Sequence, residues 1–168
     1  NRHSFSMGLI CELYRINDSL IEDILKDPDW GYNYICEHYA WVSAPNHFTG
    51  DTVFSMDKAW NITKFLFLKY LATKGVHFDV LGQKANPKYS GSDDLYVVKS
   101  KDVDFINSII KDIEVEEIAR YMNEIEVQEI NGSDWIETDD YLSYHIKNVK
   151  DAYREAALHG QGIVSRIG

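Results

Sequence analysis

The sequence predicts a single α+β domain: a small mixed or antiparallel sheet, holding the N- and C-terminal strands, packed against several helices. Three observations carry that expectation. Apolar residues recur at helical spacing in several separate segments, short branched and aromatic runs stand near both ends, and no linker or internal repeat divides the 168 residues. Hydrophobic residues at 45% and aromatics at 13%, with only three prolines, provide for a packed core and exclude a disordered chain.

Residues 8–16, GLICELYRI, read as a strand leading into a turn at Asn17-Asp18, either of which is suited to cap the following helix. Leu20, Ile21, Ile24 and Leu25 mark that helix, and Pro28 stops it. Residues 30–54 hold Trp30, Tyr32, Tyr34, Tyr39, Trp41 and Phe48 without a clean period, and read as a loop with one short helix near residues 34–41. Residues 57–72 read as a helix apolar on most sides, hence central in the domain.

A Gly-containing connection over residues 75–94 then leads to a strand at 95–98, LYVV, with Ser100 placed to cap the next helix. Val103, Ile106, Ile110 and Ile113 form the buried stripe of that helix, and Val115, Ile118, Ala119 and Met122 that of a shorter one paired with it. After an irregular stretch around Asn131-Gly132, Thr138 opens a last helix with the stripe Leu142, Ile146, Val149, Tyr153 and Ala156. Gly160 fits the position beyond its final turn, and residues 162–167 close as a strand.

A formal charge of −10, from 27 acidic against 17 basic residues, repels phosphate backbones and anionic headgroups, so neither nucleic acid nor a membrane surface is expected as a partner. The longest apolar run, Phe65 to Leu68, is far short of the roughly 18 residues of a bilayer span. Cys11 and Cys36 lack CxxC spacing and suit reduced, mostly buried thiols. The isolated histidines give no metal-ligand spacing, so neither metal nor cofactor is expected. Gly160-Gln161-Gly162 follows a helix and so faces the negative end of its dipole, the wrong end for a phosphate. Residues 1–6 have no apolar segment of signal-peptide type, and Met7 suits a native start, with 1–6 an extraneous or disordered leader.

Three motifs together carry a resemblance. Met7-Gly8 precedes a strand, Asp57-Lys58-Ala59-Trp60 opens the central helix, and Tyr153, Ala156, Ala157 and Gly160 precede the closing strand. In this order they resemble the YfbM-like family of uncharacterised bacterial proteins over residues 7–168, which implies one YfbM-like domain and no known reaction. Its members often carry histidines one and four residues after the tryptophan and end the helix in Thr-Gly. This chain holds Asn61, Lys64, Leu68 and Lys69 at those places, so an activity depending on those imidazoles is absent here.

The functional expectation is a cytoplasmic binding module that engages a basic protein through an acidic and aromatic surface, in the manner of an immunity protein covering a toxin. Its candidate binding residues are Asp57, Lys58, Trp60, Trp41, Tyr39 and Tyr153. Asp57 also suits the positive end of a helix, Lys58 an ion pair and Trp60 a core anchor. Adjacency on a helix sets Asp57 and Lys58 about 100° apart, against a ready-made catalytic pair. The alternative is a small hydrolase or transferase assembled around Asp57 with a tyrosine and a histidine, and a third reading is a homodimer with a structural role.

Overall fold

The computed structural model describes residues 9–40, 53–57, 59–91, 93–124 and 139–168, except the side chains of Val53, Asp57 and Asp139. The expected leader 1–6, Met7-Gly8, Trp41, Lys58, Asn131-Gly132 and Thr138 lie outside the described residues. The elements are β1 (Cys11–Ile16), α1 (Asp18–Lys26), α2 (Pro28–His38), β2 (Val53–Asp57), α3 (Trp60–Thr73), β3 (Gln83–Lys84), β4 (Asp94–Val98), α4 (Ser100–Ile110), α5 (Val115–Ala119), a 3-10 turn (Arg120–Asn123), α6 (Asp139–Leu158) and β5 (Gly162–Ile167).

The five strands form one antiparallel sheet in the order β2-β1-β5-β4-β3. The N- and C-terminal strands therefore pair at its centre, from Cys11 opposite Ile167 to Ile16 opposite Gly162. Successive side chains of a strand point to opposite faces. Here both faces are covered. Cys11, Leu13, Ile163 and Ile167 enter one core with α3, α4, α5 and α6. Tyr14, Ile16, Val164, Leu95 and Val97 enter a second core with Ile21 and Ile24 of α1 and Ile35 of α2. This three-layer arrangement explains why GLICELYRI shows no simple alternation of apolar and polar residues. Each fully buried aliphatic side chain contributes roughly 1.5–3 kcal/mol, and the central strands collect this on both sides.

The expected stripes are where the core lies: Val103, Ile106 and Ile110 of α4 and Leu142, Ile146, Val149, Tyr153 and Ala156 of α6 are buried. The ends of α3 and α6 share one device. Gly75 and Gly160 adopt φ of 73° and 63°, and the residue after each, Val76 or Gln161, donates its N–H to Leu71 or Ala156 five residues back. That 6→1 bond satisfies a terminal carbonyl at a backbone angle only glycine adopts without strain.

Four expectations differ from the structure. Pro28 ends α1 and also occupies the first turn of α2, where its missing N–H costs nothing; the Asp27 carboxylate accepts from the Trp30 N–H at 3.2 Å. The helix thus runs over residues 28–38, where the sequence predicted a loop with one short helix only from about residue 34. Asp57 does not open the central helix: it ends edge strand β2, and α3 begins at Trp60. Five residues, VFSMD, give too short a pattern to separate an edge strand from a helix start.

Ser100 does not cap α4 with its own hydroxyl. Its N–H and Oγ both donate to the Asp18 carboxylate, at 2.9 and 2.5 Å. The cap is therefore supplied from the start of α1. Finally, the connection before β4 contains β3, whose two residues pair with Val97 and Tyr96.

Candidate functional site

On the α2 face of the sheet, the cross-strand pair Glu12 and Arg166 forms a buried ion pair at 2.9 Å, with side chains 7% and 11% exposed. Tyr14, two residues along β1, donates its hydroxyl to the same Glu12 Oε1 at 2.7 Å and accepts from Arg166 Nε at 3.2 Å. Burial would lower the Arg166 pKa, but Tyr14 and Glu12 outweigh it and hold the guanidinium above its ordinary value. Burial, followed by the Glu12 charge, pushes the Tyr14 phenol up as well. Each of the three side chains bonds to the other two, and this closed triangle makes a rigid floor beneath α2.

Tyr32 of α2 stands above it. Burial, then the Cys36 thiol and Asp93, raise the Tyr32 pKa against the opposing pull of Arg166. Tyr32, with Pro28, Asp29, Asn33, Asn86, Tyr89, Asp93 and Asp94, lines a cleft of about 240 Å³ between α2 and the segment before β4. Among the described residues no cation lines it. Lys84 instead holds the segment from behind, donating to the carbonyls of Tyr89 and Gly91 and lying 5.2 Å from the Tyr89 ring. The Tyr89 hydroxyl donates to Asp93 at 2.7 Å.

The other flank of α2 carries an aromatic ladder. Trp30, Tyr34 and His38 recur every four residues, so they stack along one edge of the helix. Ring centroids are 5.0 Å apart for Trp30 and Tyr34 and 4.4 Å for Tyr34 and His38. Tyr39 extends the group inward, 6.4 Å from Tyr34 and 5.8 Å from Tyr14. Trp30 remains 41% exposed, a large ring available to a partner.

The opposite face, toward α3, carries a looser polar group. Lys64 of α3 pairs with Asp79 at 3.3 Å. Burial, then Asp94, Asp79 and Cys11, raise the Tyr96 pKa. Asp94, at the strand start that also borders the α2 cleft, is buried; among the described residues its Oδ2 accepts no hydrogen bond, and burial lifts its pKa although the Leu95 and Asn86 N–H groups pull it down. Ser165 Oγ and Thr63 Oγ1, also buried, have no hydrogen-bond partner among the described residues. Register sets Asp57, Cys11, Ile167 and Asp94 in one row across four strands. At about 4.8 Å per strand the backbones of Asp57 and Asp94 are about 14 Å apart.

Of the candidate residues from the sequence, the three with described side chains, Tyr39, Trp60 and Tyr153, do not share one surface. Tyr39 belongs to the α2 ladder. Trp60, half-buried, packs against the α3-side core. Tyr153 is fully buried and donates its hydroxyl to the Val80 carbonyl, so it is an internal strut out of reach of a partner. Asp57 sits at a strand end with its side chain undescribed, and Trp41 and Lys58 lie outside the described residues. The sequence reading missed the triangle of Glu12, Tyr14 and Arg166, and the cleft residues Asp29, Asn33, Asn86 and Asp93. The one available signal was the repeat of rings at Trp30, Tyr34 and His38, obscured by reading Pro28 only as a stop.

Among the described residues no helix is long and apolar enough to cross a membrane, and no three His, Cys, Asp or Glu side chains converge as a metal cage. Comparison with solved structures finds the protein of unknown function YfbM from Escherichia coli, at 12% identity and a TM-score of 0.54, covering 95% of this chain and 99% of that one. At that identity the likeness is one of fold. No curated protein matches. Residues 7–165 match the family described as "Domain of unknown function (DUF1877)", and the chain belongs to that family.

Proposed function

We propose that this chain is a cytoplasmic protein-binding module of immunity type, which engages a basic partner through the surface of α2. The observation that carries the reading is the Trp30–Tyr34–His38 ladder on a helix whose other flank, with the segment before β4, presents Asp29 and Asp93. Exposed rings supply contact area at little entropic cost, and the exposed Asp29 carboxylate on a chain of formal charge −10 favours lysine and arginine on the partner. A cleft of about 240 Å³ is below the roughly 300–1,000 Å³ of drug-sized ligand sites and suits one side chain of a partner.

The test is affinity capture from a lysate of the source cells, run in parallel with Trp30→Ala/Tyr34→Ala and Asp29→Asn/Asp93→Asn proteins. A stoichiometric basic partner retained by the wild type and lost with both variants supports the reading. Equal retention by all three proteins, or no partner at low salt, overturns it.

A second reading, a small hydrolase or transferase, draws on the polar group facing α3. Buried oxygens without hydrogen-bond partners cost stability and accumulate where chemistry uses them. Asp57 enters this reading only through its place in the row with Cys11. Turnover of a broad ester and phosphoester panel, abolished by Asp94→Asn, would favour it over binding.

A further inference from the structure

The clefts and charge clusters outside α2 include one that runs against the sign of the whole chain. Lys111 at the end of α4, Glu114 and Val115 at the start of α5, and Lys147, Lys150, Asp151 and Arg154 of α6 line a groove of about 190 Å³. Four cations face two carboxylates there, in a protein whose formal charge is −10. No sequence run foretells this patch, because α6 contributes Lys147, Lys150 and Arg154 at spacings of three and four, one face of a helix. The close packing of α4 and α5 on α6 then adds Lys111 from about 40 residues away along the chain.

The internal bonds of the groove leave donors to spare. Asp151, with its side chain 14% exposed, holds Lys147 at 2.6 Å through one oxygen and Arg154 at 2.9 Å through the other, fixing two cations side by side. Lys150 donates to the Ile113 carbonyl beyond the end of α4. An ammonium has three donors and a guanidinium five, so each of these cations retains free N–H groups. The Lys111 ammonium has no ion pair or hydrogen bond among the described residues. Ordinary stabilisation of the α4 carboxyl end accounts for Lys150. It does not account for Lys147 and Arg154 being clamped beside an unpaired lysine.

We infer that this groove is a binding site for a small oxyanion of the phosphate class, independent of the α2 surface. Charge-assisted N–H···O bonds from converging ammonium and guanidinium groups suit the several acceptor oxygens of such an anion. The groove volume admits one anionic group. The acidic remainder of the surface repels an extended polyanion, which leaves a small phosphate-bearing molecule as the ligand class.

The experiment is an amide chemical-shift titration of ¹⁵N-labelled protein with inorganic phosphate, compared with chloride at equal ionic strength. Saturable shifts confined to residues 111–115 and 147–154 are expected with phosphate and not with chloride. Lys111→Gln/Lys147→Gln should weaken binding at least about tenfold, leaving the Lys150 contact intact. Should that variant not fold, Glu114→Gln decides, since the Glu114 side chain makes no capping bond. Removing its charge should tighten binding about two- to fivefold, by the Coulomb energy of one partly screened charge. Shifts that never saturate, that chloride reproduces, or that neither substitution alters overturn the assignment, and none of these outcomes depends on capture of a protein partner.

Discussion

Replacing Arg166 by methionine tests whether the floor under α2 is held together by charge. The Arg166 side chain is 11% exposed, and its guanidinium donates through Nε to the Tyr14 hydroxyl and through a terminal nitrogen to Glu12. Methionine fills much of the volume and supplies no charge, so a carboxylate with 7% exposure loses its counter-ion. Breaking a buried pair from one side costs about 3–5 kcal/mol, most of it the penalty of the charge left behind. For a domain of this size each kcal/mol lowers the melting temperature by about 2–4 °C, so a fall of about 6–20 °C is expected. Urea unfolding followed by far-ultraviolet circular dichroism measures the free energy directly.

The control is Glu12→Gln/Arg166→Met, in which no charge is buried and the side-chain amide oxygen introduced at position 12 still accepts the Tyr14 hydroxyl. It should recover about 2 kcal/mol or more of the loss, because an unpaired neutral group costs about 1–3 kcal/mol and an unpaired charge more. If the single substitution costs less than about 1 kcal/mol, or the double variant is as unstable as the single one, the charge argument is wrong and the triangle is only a packing feature.

Three other perturbations separate structure from function. A methyl group at Gly162 would collide with the Val98 carbonyl oxygen and lie 2.5 Å from Ile21 Cδ1. Backbone cannot yield, so Gly162→Ala should cost about 1–3 kcal/mol in urea unfolding. Trp30→Ala removes a ring 41% exposed; it should change stability by less than about 1 kcal/mol while weakening a basic partner by about 2 kcal/mol or more in calorimetric titration. Asp94 has a folded-state pKa raised above its ordinary 3.8, chiefly by burial. Its contribution is fully present below that ordinary value and is lost as pH rises through the raised one, so Asp94→Asn should flatten the fall in stability from about pH 4 upward.

The elements that the sequence made legible are those with long or repeated patterns. The stripe from Leu142 to Ala156 spans four turns of α6, and the apolar α3 is hydrophobic on nearly every side, so tertiary packing could not reverse either reading. The failures lie where the deciding partner is remote. Asp18 caps α4 across 82 residues, a contact no local window contains. Pro28 is a stop to a reader who follows α1 and a start once Asp27 accepts from Trp30. Strand β2 is five residues at an edge, and its pairing with β1 makes it visible.

The two polar groups on the sheet are equally remote in sequence, and their bonding assigns them different roles. Glu12 and Arg166 are 154 residues apart and meet only through the register of β1 with β5. Each member of that triangle is bonded to both others, which is how a polar cluster specifies one packing of a core. Among the described residues, Ser165 Oγ and Thr63 Oγ1 on the α3 face, and Asp94 Oδ2 at the strand start that also borders the α2 cleft, are buried with no hydrogen-bond partner. Each such group costs about 1–3 kcal/mol, a penalty tolerated at sites of use more than elsewhere. On that face Asp94 and Asp79 both act on Tyr96, and Lys64 pairs with Asp79. The triangle beneath α2 belongs to the packing that holds that helix, whose rings at Trp30, Tyr34 and His38 lie along one edge.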